Sequence, residues 1–144
     1  KFPVSVKEVL REVADAFKNP RIKFSCDGDF EIIGDESALK KMFAAIVDNA
    51  LKYSDDTVTI NFKLDDGVVE VHIIDNGVGI SKEDKEKIFD RFYRVDKSRT
   101  KSDDENSVGL GLSVAKWIAD KHGIKIEIDS EVGHGTDFIL IFRS

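Results

Sequence analysis

Cysteine is almost absent from this chain of 144 residues, in which Cys26 is the only one. A single cysteine cannot form an internal disulfide, and no other cysteine or histidine stands near it at metal-ligand spacing. These absences exclude a disulfide-stabilised scaffold, argue against structural zinc and fit a reducing compartment. Apolar runs of the ~18 residues that a membrane helix needs are absent too, as is a signal-peptide pattern. We therefore expect a cytoplasmic domain, although a longer parent protein could be membrane-anchored.

Basic residues are outnumbered by acidic ones: 22 Lys and Arg face 28 Asp and Glu, which gives a net charge of −6. Duplex DNA binding without sequence readout needs a basic face that displaces counterions, so we expect no nucleic-acid partner. The length and the 41% share of hydrophobic residues predict one domain with one core. Because the chain begins with lysine rather than methionine, we expect residues 1–144 to be one domain of a longer protein.

Helical spacing of apolar residues predicts three main helices and one short helix. The first begins at a capping box formed by Ser5 and Glu8. The second follows a cap at Asp35, the third ends before Gly123, and the short charged helix follows a cap at Ser81. The main helices are predicted over about 5–18, 36–53 and 112–122, and the short one through Lys87.

Alternating β-prone runs predict six strands, grouped in consecutive pairs. Short turns at 27–29 and 65–67 predict hairpins for the first two pairs. Helices and strands do not alternate as regular βαβ units. We therefore predict an α+β fold: a two-layer α/β sandwich in which three main helices cover one face of a mostly antiparallel mixed sheet. The six predicted strands are 22–26, 30–33, 58–64, 68–75, 124–128 and 136–142.

The second predicted helix carries polar residues beside its apolar stripe. Asn49 lies four residues after Ala45, and Lys52 and Tyr53 lie three and four residues after Asn49, so the four residues share a face. An asparagine oxygen can bind magnesium, a lysine can neutralise a phosphate and a tyrosine can stack on a base, so the group suits a metal-bound nucleotide. A solvated helix end has the same composition, and spacing alone leaves both interpretations open.

Asp75 ends a predicted strand with the parity of Val71 and Ile73, which places a carboxylate on the apolar face of the sheet. A buried carboxylate needs a hydrogen-bond donor, and the exocyclic amine of adenine is one such donor. Gly77 and Gly79 would let the backbone approach a flat ligand closely. An ordinary turn explains the same residues without a ligand.

Four further segments have a suggestive composition. Gly109 and Gly111 precede the third main helix, where backbone amides and the helix dipole attract anions. Residues 89–94 are aromatic and basic, which indicates either local packing or an arginine that reaches a phosphate. Residues 133–136 are explained by a glycine hairpin turn. Residues 96–107 contain no apolar side chain, which predicts a mobile surface loop.

Five motifs occur in a fixed order: DNALKYS at 48–54, DNGVGI at 75–80, IFDRFYR at 88–94, GLGL at 109–112 and GHGT at 133–136. Together they resemble the catalytic ATP-binding domain of sensor histidine kinases, and the resemblance covers most of the chain. Five ordered motifs are far more specific than any one of them. The resemblance implies a Bergerat-type α/β sandwich that holds Mg-ATP between its helices and a lid.

The resemblance also implies an ATP-dependent protein histidine kinase, which passes the γ-phosphoryl group to a histidine on a separate dimeric helical domain. Asn49 is similar to the family's Mg²⁺ ligand, and Lys52 and Arg94 to its phosphate contacts, so these three are the expected catalytic residues. Tyr53 resembles the wall that stacks on adenine, and Asp75 the carboxylate that reads it. The other expected nucleotide-binding residues are Gly77, Gly79, Ile80, Tyr93, Gly109, Leu110, Gly111, Leu112 and Thr136, with residues 95–108 as the lid.

The partners implied by the resemblance are the dimerisation and phosphoacceptor domain of the same kinase and a response regulator, while the isolated domain is expected to be a monomer. The chain itself offers three histidines, His72, His122 and His134. None is followed by an acidic residue, as the family's acceptor usually is. We therefore expect the acceptor histidine to lie outside this chain.

Two positions depart from the family's pattern. Ser107 stands where a glycine is frequent, and Ala45 stands where an asparagine is frequent. Gyrase-type and chaperone-type relatives carry a glutamate at the second position as the base that activates water, and alanine cannot take a proton. An ATPase that hydrolyses ATP to solvent is therefore disfavoured, as is a Ser/Thr-directed kinase of related fold. A module in which nucleotide only orders the lid for a partner stays open, and the Ser107 departure favours it.

Overall fold

The computed structural model describes residues 2–25, 28–52, 54, 56–65, 67–85, 87–89 and 110–143. The helices are α1 (Val6–Phe17), α2 (Glu36–Lys52), α3 (Lys82–Lys85) and α4 (Leu110–Lys121). The strands are β1 (Phe2–Ser5), β2 (Ile22–Ser25), β3 (Glu31–Gly34), β4 (Val58–Asp65), β5 (Val68–Asp75), β6 (Lys125–Ser130) and β7 (Thr136–Arg143).

The main sheet has five strands in the order β2-β4-β5-β7-β6. Its neighbouring strands are antiparallel except β2 and β4, which run parallel. The helices α1, α2 and α4 bury their apolar stripes in one core with one face of this sheet, and Phe43 of α2 stacks on Phe142 of β7 at 6.2 Å between ring centroids. The predicted two-layer sandwich with a mostly antiparallel mixed sheet is confirmed.

The predicted caps account for where α1, α2 and α3 begin, whereas α4 begins at Leu110, two residues before its predicted start at Leu112. The Oγ atom of Ser5 accepts a hydrogen bond from the amide of Glu8 at 3.1 Å, and α1 begins at Val6, directly after Ser5. Asp35 caps α2 in the same way, because its Oδ1 accepts from the amide of Ala38 at 3.2 Å. Ser81 caps α3 through the amide of Asp84, but this helix ends at Lys85 instead of Lys87.

The predicted hairpin of 22–26 with 30–33 is wrong. β2 pairs in parallel with β4, whereas β3 pairs with β1, a strand that the sequence analysis did not predict. Arg21 supplies the physical reason: its Nε donates to the carbonyl of Asp56 at 2.9 Å, and its own carbonyl accepts from the amide of Val58. These bonds hold the start of β2 beside the start of β4, at a sequence distance that local turn patterns do not report.

The other predicted strand pairs are present. β4 and β5 form the predicted hairpin over their full length, and β6 and β7 pair antiparallel. Cys26, at the end of the predicted strand 22–26, and Asp27, in the predicted turn 27–29, lie outside the described residues. Within the described ranges, the helices do not combine the length and the apolar composition that crossing a bilayer requires.

Candidate functional site

The buried carboxylate of Asp75 lies where β5 ends, opposite Thr136 at the start of β7. Asp75 is only 4% exposed and lies on the helix-facing side of the sheet, as its parity with Val71 and Ile73 predicts. Its Oδ1 accepts a hydrogen bond from the amide of Gly77 at 2.8 Å. The carboxylate is therefore oriented by the backbone of its own loop.

Burial raises the pKa of Asp75 above its ordinary value, against the opposing effect of hydrogen bonds from the backbone amides of Gly77 and Thr136. A buried carboxylate needs a hydrogen-bond donor, and the chain supplies two from its main chain. Desolvation still outweighs them. A ligand that donates a further hydrogen bond here would favour the ionised form.

Gly79 and Gly135 allow the turn after β5 and the turn between β6 and β7 to pack closely against each other beside Asp75. A Cβ atom on Gly79 would lie 2.0 Å from the carbonyl oxygen of Glu131, and one on Gly135 would lie 2.3 Å from the carbonyl oxygen of Asp75. Both glycines also have positive φ angles, +78° and +83°. Packing between the turns thus requires both glycines, and the expected purine contact of Gly79 stays a prediction.

Ser130, which the sequence analysis missed, connects the same two turns. Its Oγ accepts from the amide of Ile80 at 2.8 Å, donates to the carbonyl of Gly135 at 2.7 Å and lies 2.9 Å from Oγ1 of Thr136. The available signal was parity: Ser130 continues the inward-facing row of Ile126 in β6, so the alternation places a hydroxyl on the buried side.

The polar face of α2 lies beside the N-terminus of α4. A Cβ atom on Gly111 would lie 3.7 Å from the Cβ of Ala45, so the two helices approach closely there. Asn49 and Lys52 continue the same face of α2 and are half-buried. The Nζ atom of Lys52 lies 3.3 Å from Oδ2 of Asp48. Within the described part of the chain, no hydrogen bond is formed by the Asn49 amide side chain.

Two expected nucleotide-binding residues are core residues in the structure. Ile80 is 6% exposed and Leu112 is 8% exposed, and both belong to the central hydrophobic cluster. Thr136 is also buried, and its hydroxyl is engaged with Ser130. Gly77 is half-buried and directs its amide at Asp75.

Several expected site residues lie outside the described residues. They are Tyr53, Tyr93, Arg94, Gly109 and the lid segment 95–108, together with the side chain of Leu110. In the motif at 88–94, Phe89 is the aromatic residue that the structure describes. It packs edge-on against Phe138 with ring centroids 6.5 Å apart. Local packing therefore accounts for that aromatic residue, and the proposed phosphate contact of Arg94 stays a prediction.

Two of the three histidines are held by neighbours within the chain. His72 lies between two carboxylates, with Nδ1 2.9 Å from Asp137 and Nε2 3.1 Å from Glu70. Burial raises the pKa of Asp137, while its hydrogen bond to His72 lowers it. His122 accepts from the amide of Asp35 through Nε2 at 3.1 Å, and its Nδ1 lies 2.9 Å from a backbone carbonyl.

Acidic and thiol ligands do not cluster in the described part of the chain: no group of three or more His, Cys, Asp or Glu side chains could hold a metal ion there. Mg²⁺ usually keeps several waters and binds one or two protein oxygens together with substrate phosphates, so it does not require such a group. The side-chain oxygen of Asn49 is such a protein oxygen.

Comparison with known proteins gives related sequences among sensor kinases. The sensor-like histidine kinase SenX3 of Mycolicibacterium smegmatis is 34% identical over 95% of this chain. The signal transduction histidine-protein kinase ArlS of Staphylococcus haemolyticus is 44% identical over 72% of this chain. The chain spans 37% of the first protein's length and 23% of the second's. Both relatives are therefore much longer than the chain.

Solved structures of similar fold include a mycobacterial sensor histidine kinase, MprB, and the catalytic domain of the histidine kinase ThkA. The first has a TM-score of 0.81 and 28% identity, and the match covers 98% of this chain and 95% of the other. The second has a TM-score of 0.77 and 28% identity, with 98% and 93% covered. The resemblance to the catalytic domain of sensor histidine kinases is confirmed.

A family model matches residues 34–144, which is more than three quarters of the chain. Its description is histidine kinase-, DNA gyrase B- and HSP90-like ATPase. The matched range runs from the end of β3 to the end of the chain and includes Asn49, Asp75, Gly111 and Thr136. The chain belongs to the family of histidine kinase-, DNA gyrase B- and HSP90-like ATPases.

Proposed function

We propose that this domain binds Mg-ATP and donates the γ-phosphoryl group to a histidine on a separate dimerisation domain of the same kinase. The observation that carries the proposal is the buried, backbone-oriented carboxylate of Asp75 on the helix-facing side of the sheet. The helix α2, which bears Asn49 and Lys52, packs across the same strand. The proposed adenine-reading group thus lies in the sheet, and the proposed phosphate-reading face lies in the helix layer that packs on it.

Recognition of the base rests on Asp75 in this proposal. Its carboxylate accepts hydrogen bonds only, and the exocyclic amine of adenine donates. Guanine carries a carbonyl oxygen at the same ring position, which would face the carboxylate as a second acceptor. The domain should therefore prefer adenine nucleotides to guanine nucleotides.

The phosphates would lie against the polar face of α2 and the first turn of α4. Lys52 offers a positive charge, and the backbone amides that begin α4 at Leu110 and Gly111 point their dipole toward an anion. Asn49 offers an oxygen to Mg²⁺, which when bound neutralises charge on the transferred phosphoryl group. These residues position the reacting group and stabilise its charge, so the transfer needs no general base from this chain.

Ala45 restricts the reaction that the site supports. Its methyl group faces Gly111 at the point where α2 approaches α4, and it cannot accept a proton. Activation of water at this position is therefore absent from our proposal. Transfer to an imidazole, which is itself a nucleophile, is the reaction that remains.

The acceptor belongs to another domain in this proposal. His72 is held between two carboxylates and His122 between two backbone groups, so neither ring is available for attack on a phosphate without breaking these contacts. The relatives SenX3 and ArlS are longer than this chain and have room for the missing acceptor domain. We further propose a response regulator as the downstream partner, a cytoplasmic location and a monomeric isolated domain.

Phosphoryl transfer in trans tests the proposal. The chain is mixed with a separately produced dimerisation domain and ATP labelled at the γ-phosphate. We expect label on that domain, acid-labile and base-stable as phosphohistidine is, and no label on this chain alone. Nucleotide binding without transfer would favour the nucleotide-gated module, and rapid phosphate release by the isolated chain would favour a solvent-directed ATPase.

A further inference from the structure

Ser130 lies at the end of β6, is 6% exposed and makes three hydrogen bonds through one hydroxyl group. Its partners are the amide of Ile80 at 2.8 Å, the carbonyl of Gly135 at 2.7 Å and the hydroxyl of Thr136 at 2.9 Å. A serine hydroxyl has one proton and two lone pairs. Three partners therefore use its whole hydrogen-bonding capacity.

The direction of each bond follows from the chemistry of the partners. The carbonyl of Gly135 can only accept, so it takes the proton of Ser130. The amide of Ile80 can only donate, so it occupies one lone pair. The hydroxyl of Thr136 must then donate its own proton to the second lone pair. Only lone pairs remain on Oγ1 of Thr136 for any further contact.

Thr136 is the cross-strand partner of Asp75, and its backbone amide donates to the carboxylate of that residue. We infer that Ser130 is a positioning residue for adenine recognition: it fixes Thr136 as a hydrogen-bond acceptor beside Asp75 and ties the 77–80 loop to β6. The inference rests on the proposed function, because it assigns the base-binding end of that site. It adds a selectivity role to a residue that does not touch the base.

A pair of acceptors side by side favours a ligand edge that donates. The amine of adenine donates to such an edge directly or through a water, whereas the carbonyl of guanine meets two acceptors. If Ser130 were absent, the hydroxyl of Thr136 could rotate and donate. The base-binding end of the site would then accept guanine more readily and bind adenine less tightly.

The experiment compares the dissociation constants of ADP and GDP by calorimetry. Ser130→Ala should weaken ADP binding about tenfold, which is the effect of about 1.4 kcal/mol, and should leave GDP binding unchanged or slightly stronger. The preference for ADP therefore falls. Ser130→Thr, which keeps the hydroxyl, should restore most of the preference. Amide hydrogen exchange of Ile80 should become faster in Ser130→Ala and return toward the wild-type rate in Ser130→Thr.

Val69→Ala is the matched control, because Val69 is fully buried at the far end of β5. It should lower the thermal stability without changing the ratio of the two dissociation constants. Thr136→Val removes the hydroxyl that Ser130 orients, so it should reduce the ratio as Ser130→Ala does, and the double variant should reduce it no further. If Ser130→Ala does not fold, the ratio of the two dissociation constants is measured on Thr136→Val and Ser130→Cys instead.

The outcomes separate the two proposals. If the wild-type chain prefers ADP and the Ser130 and Thr136 variants keep that preference, the role of Ser130 is overturned while the proposed function stands. Additive effects in the double variant would likewise overturn it. If the wild-type chain binds neither nucleotide, the proposed function fails and this inference fails with it.

Discussion

The two ends of the candidate site are built in different ways. At the base-binding end, Asp75, Ser130 and Thr136 are buried and held by short hydrogen bonds, and glycines lock the turns around them. At the phosphate end, Asn49 and Lys52 are half-buried on a helix face. The first end is preorganised by the fold, whereas the second depends more on the Mg-ATP that we propose as its ligand. Substitutions at the base-binding end should therefore affect stability or base affinity, whereas those at the phosphate end should affect phosphoryl transfer with little effect on stability.

Gly79→Ala should have the largest effect on stability. The new Cβ would lie 2.0 Å from a backbone oxygen, and alanine at a φ of +78° is strained as well. We expect the free energy of unfolding to fall by about 3–5 kcal/mol in urea titrations. Gly133→Ala is the control, because its φ is +87° but its Cβ meets nothing within 4 Å, and it should cost about 1–2 kcal/mol. Equal losses would show that the two turns are not rigidly locked.

Asn49→Ala should lower the rate of phosphoryl transfer in trans by about 100-fold or more, because the side chain would no longer bind the metal. The free energy of unfolding should change by less than about 0.5 kcal/mol, since the amide is half-buried. Asn61→Ala on β4 is the control for loss of an asparagine elsewhere in the fold. Transfer rates that match those of the wild type would remove Asn49 from the site.

Asp75→Asn should weaken ADP binding by about 1–3 kcal/mol, the range for a hydrogen bond to a charged group. The free energy of unfolding at neutral pH should stay the same or rise, because asparagine can still accept from the amides of Gly77 and Thr136 without the cost of a buried charge. Calorimetry and urea unfolding measure the two effects. A folded variant with unchanged ADP affinity would contradict the assignment of Asp75.

The stability difference between the wild type and Asp75→Asn should depend on pH, and the raised pKa of Asp75 gives the direction of this dependence. Burial raises the pKa of Asp75 above 3.8, so the folded state binds a proton more tightly than the unfolded state. The contribution of this group to stability is present at low pH and falls as the pH rises from the ordinary value toward the raised one. The wild type should therefore lose stability relative to Asp75→Asn across that window.

Asp48→Asn should have the smallest effect. Asp48 and Lys52 form an ion pair one helical turn apart, with side chains 44% and 29% exposed. Such pairs contribute little, so we expect a change in the free energy of unfolding of no more than about 0.5 kcal/mol. ATP affinity should rise slightly, because a negative charge is removed beside Lys52, the proposed phosphate contact. A large loss of stability would show that the phosphate end is also preorganised.

The sequence predicted features that are encoded locally. The caps at Ser5 and Asp35, the β4–β5 hairpin and the inward orientation of Asp75 all follow from residues within a few positions of one another. The parallel pairing of β2 with β4 was missed, because it depends on Arg21 binding a segment that lies beyond α2. Parity in β6 would have placed the hydroxyl of Ser130 on the buried side, but its contact with Ile80 is long-range and no local pattern reports it.

Ile80 and its hydrogen-bond acceptor are 50 residues apart in the chain. The glycine motifs at 75–80 and 133–136 each indicate a turn, but they do not show that the two turns are in contact. The resemblance to a kinase domain identified the motifs without explaining what holds them together. The buried hydroxyl of Ser130 and the close approach of Gly79 to Glu131 supply that explanation.

The strand order of the main sheet also bears on aggregation. β2 and β6 are its two edge strands, and edge strands expose unpaired backbone groups that can join another chain. β2 is only four residues long, and β6 presents Lys125, Glu127 and Asp129 to solvent. Short length and alternating charge both oppose edge-to-edge pairing of two copies. Replacing Lys125 and Glu127 together by valine should therefore make the protein aggregate at concentrations where light scattering finds the wild type dispersed.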